Sequence, residues 1–214
     1  QQPGFQDRPE LQEVVREYWQ FRHDHRALFT PAERQRHAQV AIVNSIPTGI
    51  YSQYQPAVGT AHFVDLCGIA RSLFEGHIPF DALIFQHPEI RADRWALEDL
   101  QRYRLVILPA VTCISDEQAE VVGKYLDGGG RVATIEACGV RDENNMPRET
   151  PLTEQWKPAC ICLLIREGEG FPFCRVTESD ATRAVADKAV AEVRKALKAP
   201  PLFEGEIPRM LWVT

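Results

Sequence analysis

Apolar residues in the chain fall into two recurring patterns: short unbroken runs and longer stretches with helical spacing. The short runs are rich in β-branched residues and are bounded by polar or turn-forming residues, which is typical of buried strands. Four such runs occupy residues 39–44, 80–85, 105–108 and 131–137. The pattern weakens after residue 145, where two more strands are predicted at 160–165 and 171–177.

Longer stretches with an apolar residue at every third or fourth position predict helices around these strands. Their stripes are Leu11, Val14, Val15, Tyr18 and Trp19; then Val64, Cys67, Ala70, Leu73 and Phe74; and finally Ala181, Val185, Ala189, Val193 and Leu197. A further helix opens with a capping box of Ser115 and Gln118 and ends in the glycine run 128–130. The turn-rich stretch 45–60 predicts a long connection lying over one rim of the sheet.

Strands alternating with helices predict an α/β fold. The strands are too continuously apolar to have one face in water, so the sheet should be parallel with helices on both faces. In such sheets the functional crevice lies outside the carboxyl ends of the strands. Those ends are predicted at residues 44–47, 85–89, 109–113 and 136–145.

Length and charge narrow the function classes. The 214 residues suit one good core, and the net charge of −6 gives none of the basic surface that nucleic acid requires. No apolar run approaches the roughly 20 residues that cross a bilayer. We expect residues 1–36 to be a helical connector from a preceding domain, 37–199 the α/β domain and 200–214 a linker or the start of a following segment. The start at Gln1 and the apolar end "PRMLWVT" suggest a piece of a longer polypeptide.

The number and spacing of the cysteines indicate whether the chain binds a metal and whether its compartment is reducing. The six cysteines contain no C-x-x-C pair, which makes a zinc site improbable. Most lie in apolar runs, where free cysteine behaves as a small hydrophobe. The sequence therefore predicts a reducing, cytoplasmic setting, no metal and no cofactor.

Cys138 is the first candidate for chemistry, because it follows the fourth predicted strand directly. A nucleophile elbow needs a sharp strand-to-helix turn, and the helix start would lower the thiol pKa. The stretch "RDENNMPRETP" that follows is polar, contains two prolines and has no helical stripe. The sequence favours a packed thiol over a catalytic one.

A cysteine nucleophile also needs a base oriented by a carboxylate. The string "FQHPEI" offers His87 and Glu89, with His62 and Glu136 as other choices. In glutamine amidotransferases a similar His-x-Glu pair follows the cysteine, whereas here it precedes Cys138. A solvated loop is the favoured interpretation of His87 and Glu89, and an active cysteine hydrolase or amidotransferase with Cys138 as nucleophile stays the alternative.

A second set of candidates lies along the predicted rim. Asp142, Glu143 and Asn144 follow the fourth strand, while Asn44 and Cys113 follow the first and third. These side chains would line a ligand or partner rim, although Asp and Asn are equally at home in solvated turns. A small-molecule sensor using this rim is a third, weaker hypothesis.

Three segments in order, "YRLVILP", "SDEQAEVVGKYLDGGG" and "GVRDEN", are similar to the β-galactosidase trimerisation domain that follows the catalytic barrel in family 42 glycoside hydrolases. Upstream, "VAIVNS" and "HIPFDALIFQHPE" resemble further parts of that family, and "FRHDHRALF" resembles its connector. The resemblance covers roughly residues 10 to 145, and "DEN" is its most specific element.

This resemblance implies a flavodoxin-like, class I glutamine amidotransferase-like sheet without its catalytic triad. Such a domain would hold subunits together or wall the active site of a (β/α)8 barrel, which itself carries the catalytic glutamates. The implied partners are that barrel, other subunits and possibly carbohydrate, with neither nucleic acid nor membrane. The chain alone would then have no catalytic residues.

Overall fold

The computed structural model describes residues 9–29, 38–54, 56–136, 138–156, 160–164 and 180–197. The chain divides into two compact units, residues 1–37 with 210–214, and residues 38–209. The strand predicted at 171–177 and the linker predicted at 200–214 lie outside the described residues.

The first unit contains helix α1, Pro9–Asp24, followed by a 3-10 turn at Arg26–Phe29. The predicted amphipathic helix is confirmed. Trp19 and Tyr18 make an edge-to-face ring contact, and the Arg22 guanidinium lies over the Trp19 ring at 5.2 Å.

The second unit is built on a five-stranded, fully parallel sheet, which confirms the predicted α/β class. Its strands are β1 (Val40–Ser45), β2 (Phe80–Phe85), β3 (Leu105–Pro109), β4 (Val132–Ile135) and β5 (Cys160–Leu164). The spatial order β2-β1-β3-β4-β5 is the flavodoxin-like order.

Six helices accompany this sheet in the described part of the second unit. They are α2 (Ile46–Tyr54), α3 (Pro56–Glu75), α4 (Leu97–Leu100), α5 (Asp116–Asp127), α6 (Leu152–Gln155) and α7 (Asp180–Leu197). None of the helices in the described ranges is long and apolar enough to cross a membrane.

Two apolar cores cover the two faces of the sheet, as predicted. Side chains of α4 and α5, including Leu100, Val122 and Tyr125, pack on one face. Side chains of α3 and α7, including Leu73 and Val193, pack on the other. The strands are therefore buried on both sides, which explains their continuous apolar runs.

Two predictions for residues 45–75 were wrong. The connection predicted at 45–60 is helical, since α2 begins directly after β1 and α3 begins at Pro56. Proline is well suited to the first turn of a helix, where its missing N–H has no helical partner. The predicted stripe of α3 is wrong at Phe74, which is 47% exposed, although Leu73 is buried as predicted. The helix also buries His62, Asp65 and Ser72, which the stripe did not include.

Candidate functional site

The strand order reverses between β1 and β3, so the crevice of this fold lies at their carboxyl ends. The chain leaves β1 through α2 and α3 to reach β2, and leaves β3 through α5 to reach β4. Asn44 and Ser45 end β1, and Cys113 follows β3 four residues after Pro109. The candidate site is the rim that these segments form.

His62, on α3, joins the two strand ends and is only 2% exposed. Its Nδ1 lies 2.6 Å from the Pro109 carbonyl oxygen, and the Ser45 backbone N–H donates to its Nε2 at 3.1 Å. Nε2 must therefore carry the lone pair and Nδ1 the proton. His62 is thus a neutral cross-link between the ends of β1 and β3.

Burial also favours a neutral imidazole, whereas the contact with Asn44 fits it only after the amide atoms are reassigned. Burial lowers the pKa of His62 below its ordinary value of 6.5, partly offset by the hydrogen bond to Pro109. The Asn44 Oδ1 atom lies 3.3 Å from Nε2, where two acceptors would face each other. Exchanging the amide oxygen and nitrogen of Asn44 turns this contact into a hydrogen bond, as is common for asparagine.

Two hydroxyl groups beside His62 hold the chain after β3. The Thr48 Oγ1 accepts from the Cys113 backbone N–H at 3.0 Å, and the Ser45 hydroxyl donates to the Cys113 carbonyl at 3.1 Å. Cys113 itself is buried, and burial raises the pKa of its thiol. The sequence placed Cys113 on the rim, but the structure turns its side chain away from solvent.

Cys138 is 0% exposed and belongs to the core on the α5 side of the sheet. Its thiol donates to the Leu108 carbonyl oxygen at 3.2 Å. Gly139 follows in a left-handed conformation (φ 61°), and the next helix, α6, begins only at Leu152. The sulfur therefore has no access to solvent, and the chain after it does not turn directly into a helix.

The alternative base His87 and its carboxylate partner Glu89 differ in their exposure to solvent. His87 is 6% exposed, and its buried Nδ1 has no hydrogen-bond partner among the described residues. Glu89 is exposed in the turn after it. The solvated loop expected for both residues is found for Glu89 but not for His87.

The loop 139–148 holds its shape through Asp142. The Asp142 carboxylate accepts the backbone N–H of Asn144 at 2.9 Å and that of Met146 at 2.8 Å. Asn145 adopts a left-handed conformation (φ 66°) to close the turn. Asn144, Met146 and Pro147 are exposed, so a partner can touch this part of the loop.

Two arginines fix the loop to the rest of the rim. Arg141 pairs its backbone with residues on either side of Cys113 and donates from its guanidinium to the Asn145 carbonyl at 2.9 Å. Arg148 forms an ion pair with Asp116 at 2.6 Å and donates to the Ile114 carbonyl at 2.7 Å. The loop thus extends the rim as a preformed surface.

Two strand ends carry left-handed residues that are not glycine. Ala110 follows β3 with φ 47°, and Glu136 follows β4 with φ 64°. This conformation costs roughly 1–2 kcal/mol in residues with a Cβ. The rim therefore contains backbone strain that the surrounding hydrogen bonds maintain.

No protein-family model matches the chain, and no curated protein matches it. Among solved structures it is similar to a β-galactosidase from Bifidobacterium adolescentis (22% identity, 52% of this chain and 45% of that chain, TM-score 0.41). It is also similar to the GH42 exo-carrageenase from Bacteroides ovatus (15% identity, 78% and 19%, TM-score 0.47). A third is a β-galactosidase from Bacillus circulans sp. alkalophilus (19% identity, 54% and 16%, TM-score 0.42). The chain spans less than half the length of each.

The described rim residues make their hydrogen bonds within the fold. His62 uses both ring nitrogens in this way, and the Cys138 thiol is enclosed. Asn44 and Asp142 were predicted from the sequence, but Ser45 and Thr48 were not, because the stretch after β1 was predicted to be a loop. His62 was predicted only as one optional base, since a single histidine gives no sign of its partners.

Proposed function

We propose that the chain is a non-catalytic domain of a glycoside hydrolase, acting in oligomer assembly or in completing the active site of a catalytic barrel. The observation that carries this proposal is the enclosed thiol of Cys138, 0% exposed and donating to a backbone carbonyl. A nucleophile of this fold class would need an exposed thiolate at a helix start.

The link to glycoside hydrolases is supported by the ordered resemblance of residues 103–109, 115–130 and 139–144 to the trimerisation domain. The preformed loop 139–148 fits such a role, because its tip is exposed while its base is anchored by Arg141 and Arg148. A rigid loop loses little conformational entropy on binding. We assign the domain to the cytoplasm, a reducing compartment in which the buried thiols of Cys113 and Cys138 would persist.

Absence of catalysis can be tested on the chain itself. Glutaminase and esterase assays should give no turnover above buffer, and the Cys138→Ala variant should behave identically. The Cys67→Ala variant is the matched control, because Cys67 is a partly exposed thiol on α3. Turnover abolished by Cys138→Ala but kept in Cys67→Ala would instead establish the cysteine hydrolase alternative, with Cys138 as nucleophile.

Assembly and active-site completion need the chain joined to its barrel. Light scattering and glycosidase kinetics should be measured on that polypeptide with Asn144→Arg, and with Asp127→Arg as control. Both positions are exposed, but Asp127 lies at the opposite end of the sheet. We expect Asn144→Arg alone to dissociate subunits or to lower kcat/KM by about tenfold, as losing one good contact does. Unchanged mass and kinetics in both variants would refute the proposal.

A further inference from the structure

A cavity of about 550 Å³ lies at the amino ends of β3 and β4, the end of the sheet opposite to the rim. Two arginines, Arg104 and Arg131, stand immediately before these strands and line it. The volume is within the range of small-molecule sites, roughly 300–1,000 Å³.

The glycine turn after α5 creates this space. Gly129 has φ 89°, a conformation that strains any other residue, and a Cβ on Gly130 would meet the Tyr125 ring at 2.3 Å. Positions 129 and 130 therefore require glycine, and the turn contributes backbone without side chains to one wall. The neighbouring tyrosine hydroxyl is occupied, since Tyr125 accepts the Arg131 backbone N–H at 3.2 Å.

The two guanidinium groups converge on one place. Arg104 donates to the Leu197 carbonyl at 3.2 Å, and Arg131 donates to the Ala196 carbonyl at 3.3 Å. These are consecutive carbonyls of the last turn of α7, so the two cationic groups are neighbours. Each guanidinium has five N–H donors, and one carbonyl uses only a part of them.

The charges of the lining do not balance. The carboxyl ends of α5 and α7 each contribute about half a negative charge, against two full positive charges from the arginines. Among the described residues that line the cavity, none has an acidic side chain. An excess of about one positive charge therefore remains next to a space of small-molecule size.

We propose that this cavity, here called the arginine cavity, binds a small organic anion through a carboxylate or phosphate group held by Arg104 and Arg131. Guanidinium groups hold planar and tetrahedral oxyanions through paired N–H donors. The Tyr103 and Tyr125 rings and Leu197 would contact the less polar body of the ligand. This inference goes beyond the proposed function, because the arginine cavity and the rim lie at opposite ends of the same strands.

The decisive variant is Gln101→Glu. Gln101 is exposed at the mouth of the cavity, so the change adds a negative charge there without altering the core. The matched control is Gln155→Glu, an exposed glutamine on α6 that does not line the cavity. Calorimetric titration and thermal unfolding of the full chain should be done with inorganic phosphate and with citrate, against sodium chloride at equal ionic strength.

We expect phosphate or citrate to raise the unfolding midpoint beyond the sodium chloride value in the native chain and in Gln155→Glu. Gln101→Glu should remove this increase, and Arg104→Lys should weaken binding about tenfold by losing the paired geometry. A larger increase with phosphate would identify a phosphoryl group, and a larger one with citrate a carboxylate. Equal midpoints in all three salts, or equal responses of both glutamate variants, would mean that the arginines only cap α7, and would overturn the proposal.

Discussion

His62 shows how a single polar residue can organise a rim without performing chemistry. It occupies the buried face of α3 and uses its two nitrogens to satisfy the Ser45 N–H and the Pro109 carbonyl. Buried backbone groups left without a partner cost about 1–3 kcal/mol each. The residue therefore stabilises the crevice because it is neutral, and protonation would remove its acceptor.

The stability of the chain should fall as the pH is lowered below 6.5. The unfolded chain takes up a proton on His62 near the ordinary pKa of 6.5, whereas burial lowers the folded-state pKa, so protons favour unfolding. The contribution of neutral His62 to the free energy of unfolding is fully present above pH 6.5 and is lost as the pH falls toward the folded-state pKa. Urea unfolding at pH 7.5 and 5.5 measures this loss.

Two histidine variants show whether His62 causes this loss of stability at low pH. His62→Gln should lower the unfolding free energy by about 2 kcal/mol at pH 7.5 and should reduce its dependence on pH. His23→Gln, on the exposed surface of α1, should leave both quantities as in the native chain. An unchanged pH dependence in His62→Gln would contradict the neutral cross-link.

The left-handed conformation of Ala110 gives a second prediction at this scale. Ala110→Gly relieves about 1–2 kcal/mol of strain and loses about 0.5–1 kcal/mol to the freer unfolded chain. We expect the variant to be about 0.5 kcal/mol more stable in urea unfolding. Ala133→Gly, in the regular strand β4, should instead be less stable by about 1 kcal/mol. Equal losses in both variants would show that Ala110 is unstrained.

At the scale of elements, helix α5 was predicted almost completely and the segment after β1 was not. The Ser115 and Gln118 capping box forms as expected, and the helix ends at Gly128. Capping boxes and glycine ends are local signals that a sequence displays directly. Helix α2 carries weaker local signals that were not recognised: Ser45 precedes it and accepts the Thr48 backbone N–H at 3.2 Å, and Pro47 lies in its first turn.

Two glycines of the α5 region should respond oppositely to alanine. Gly130→Ala would drive a methyl group into the Tyr125 ring and should cost about 2–3 kcal/mol. Gly123→Ala meets nothing within 4 Å in the helix interior and should stabilise the chain by about 0.5–1 kcal/mol. Thermal or urea unfolding of the two variants checks both signs, and a stable Gly130→Ala would contradict the close approach.

At the scale of the whole molecule, the sheet was predictable but the contents of the rim were not. Continuous apolar runs separated by helices specify a parallel sheet, which the described strands confirm. Which polar side chains meet at the rim depends on pairings between distant segments, such as Thr48 with Cys113 and Arg148 with Asp116. A single sequence does not display such pairings, so Cys113 could not be recognised as buried.

Thiol labelling should separate local from global opening. Cys138 lies in the core between the sheet and α5, so its labelling should require unfolding of the second unit and should follow the full urea dependence of stability. Cys67, partly exposed on α3, should react in native buffer. Mass spectrometry after iodoacetamide pulses at increasing urea measures both rates. Equal labelling of the two thiols without urea would contradict the burial of Cys138.

The position of β1 in the strand order has a consequence during synthesis. β1 lies between β2 and β3, and Val40 pairs with both Phe80 and Leu105. Until Pro109 has emerged from the ribosome, β3 cannot pair with β1. One whole hydrogen-bonding edge of the apolar strand β1 is then exposed, and such an edge promotes aggregation. Polypeptides interrupted before β3 should therefore accumulate as insoluble material, whereas those that include β3 can complete the centre of the sheet.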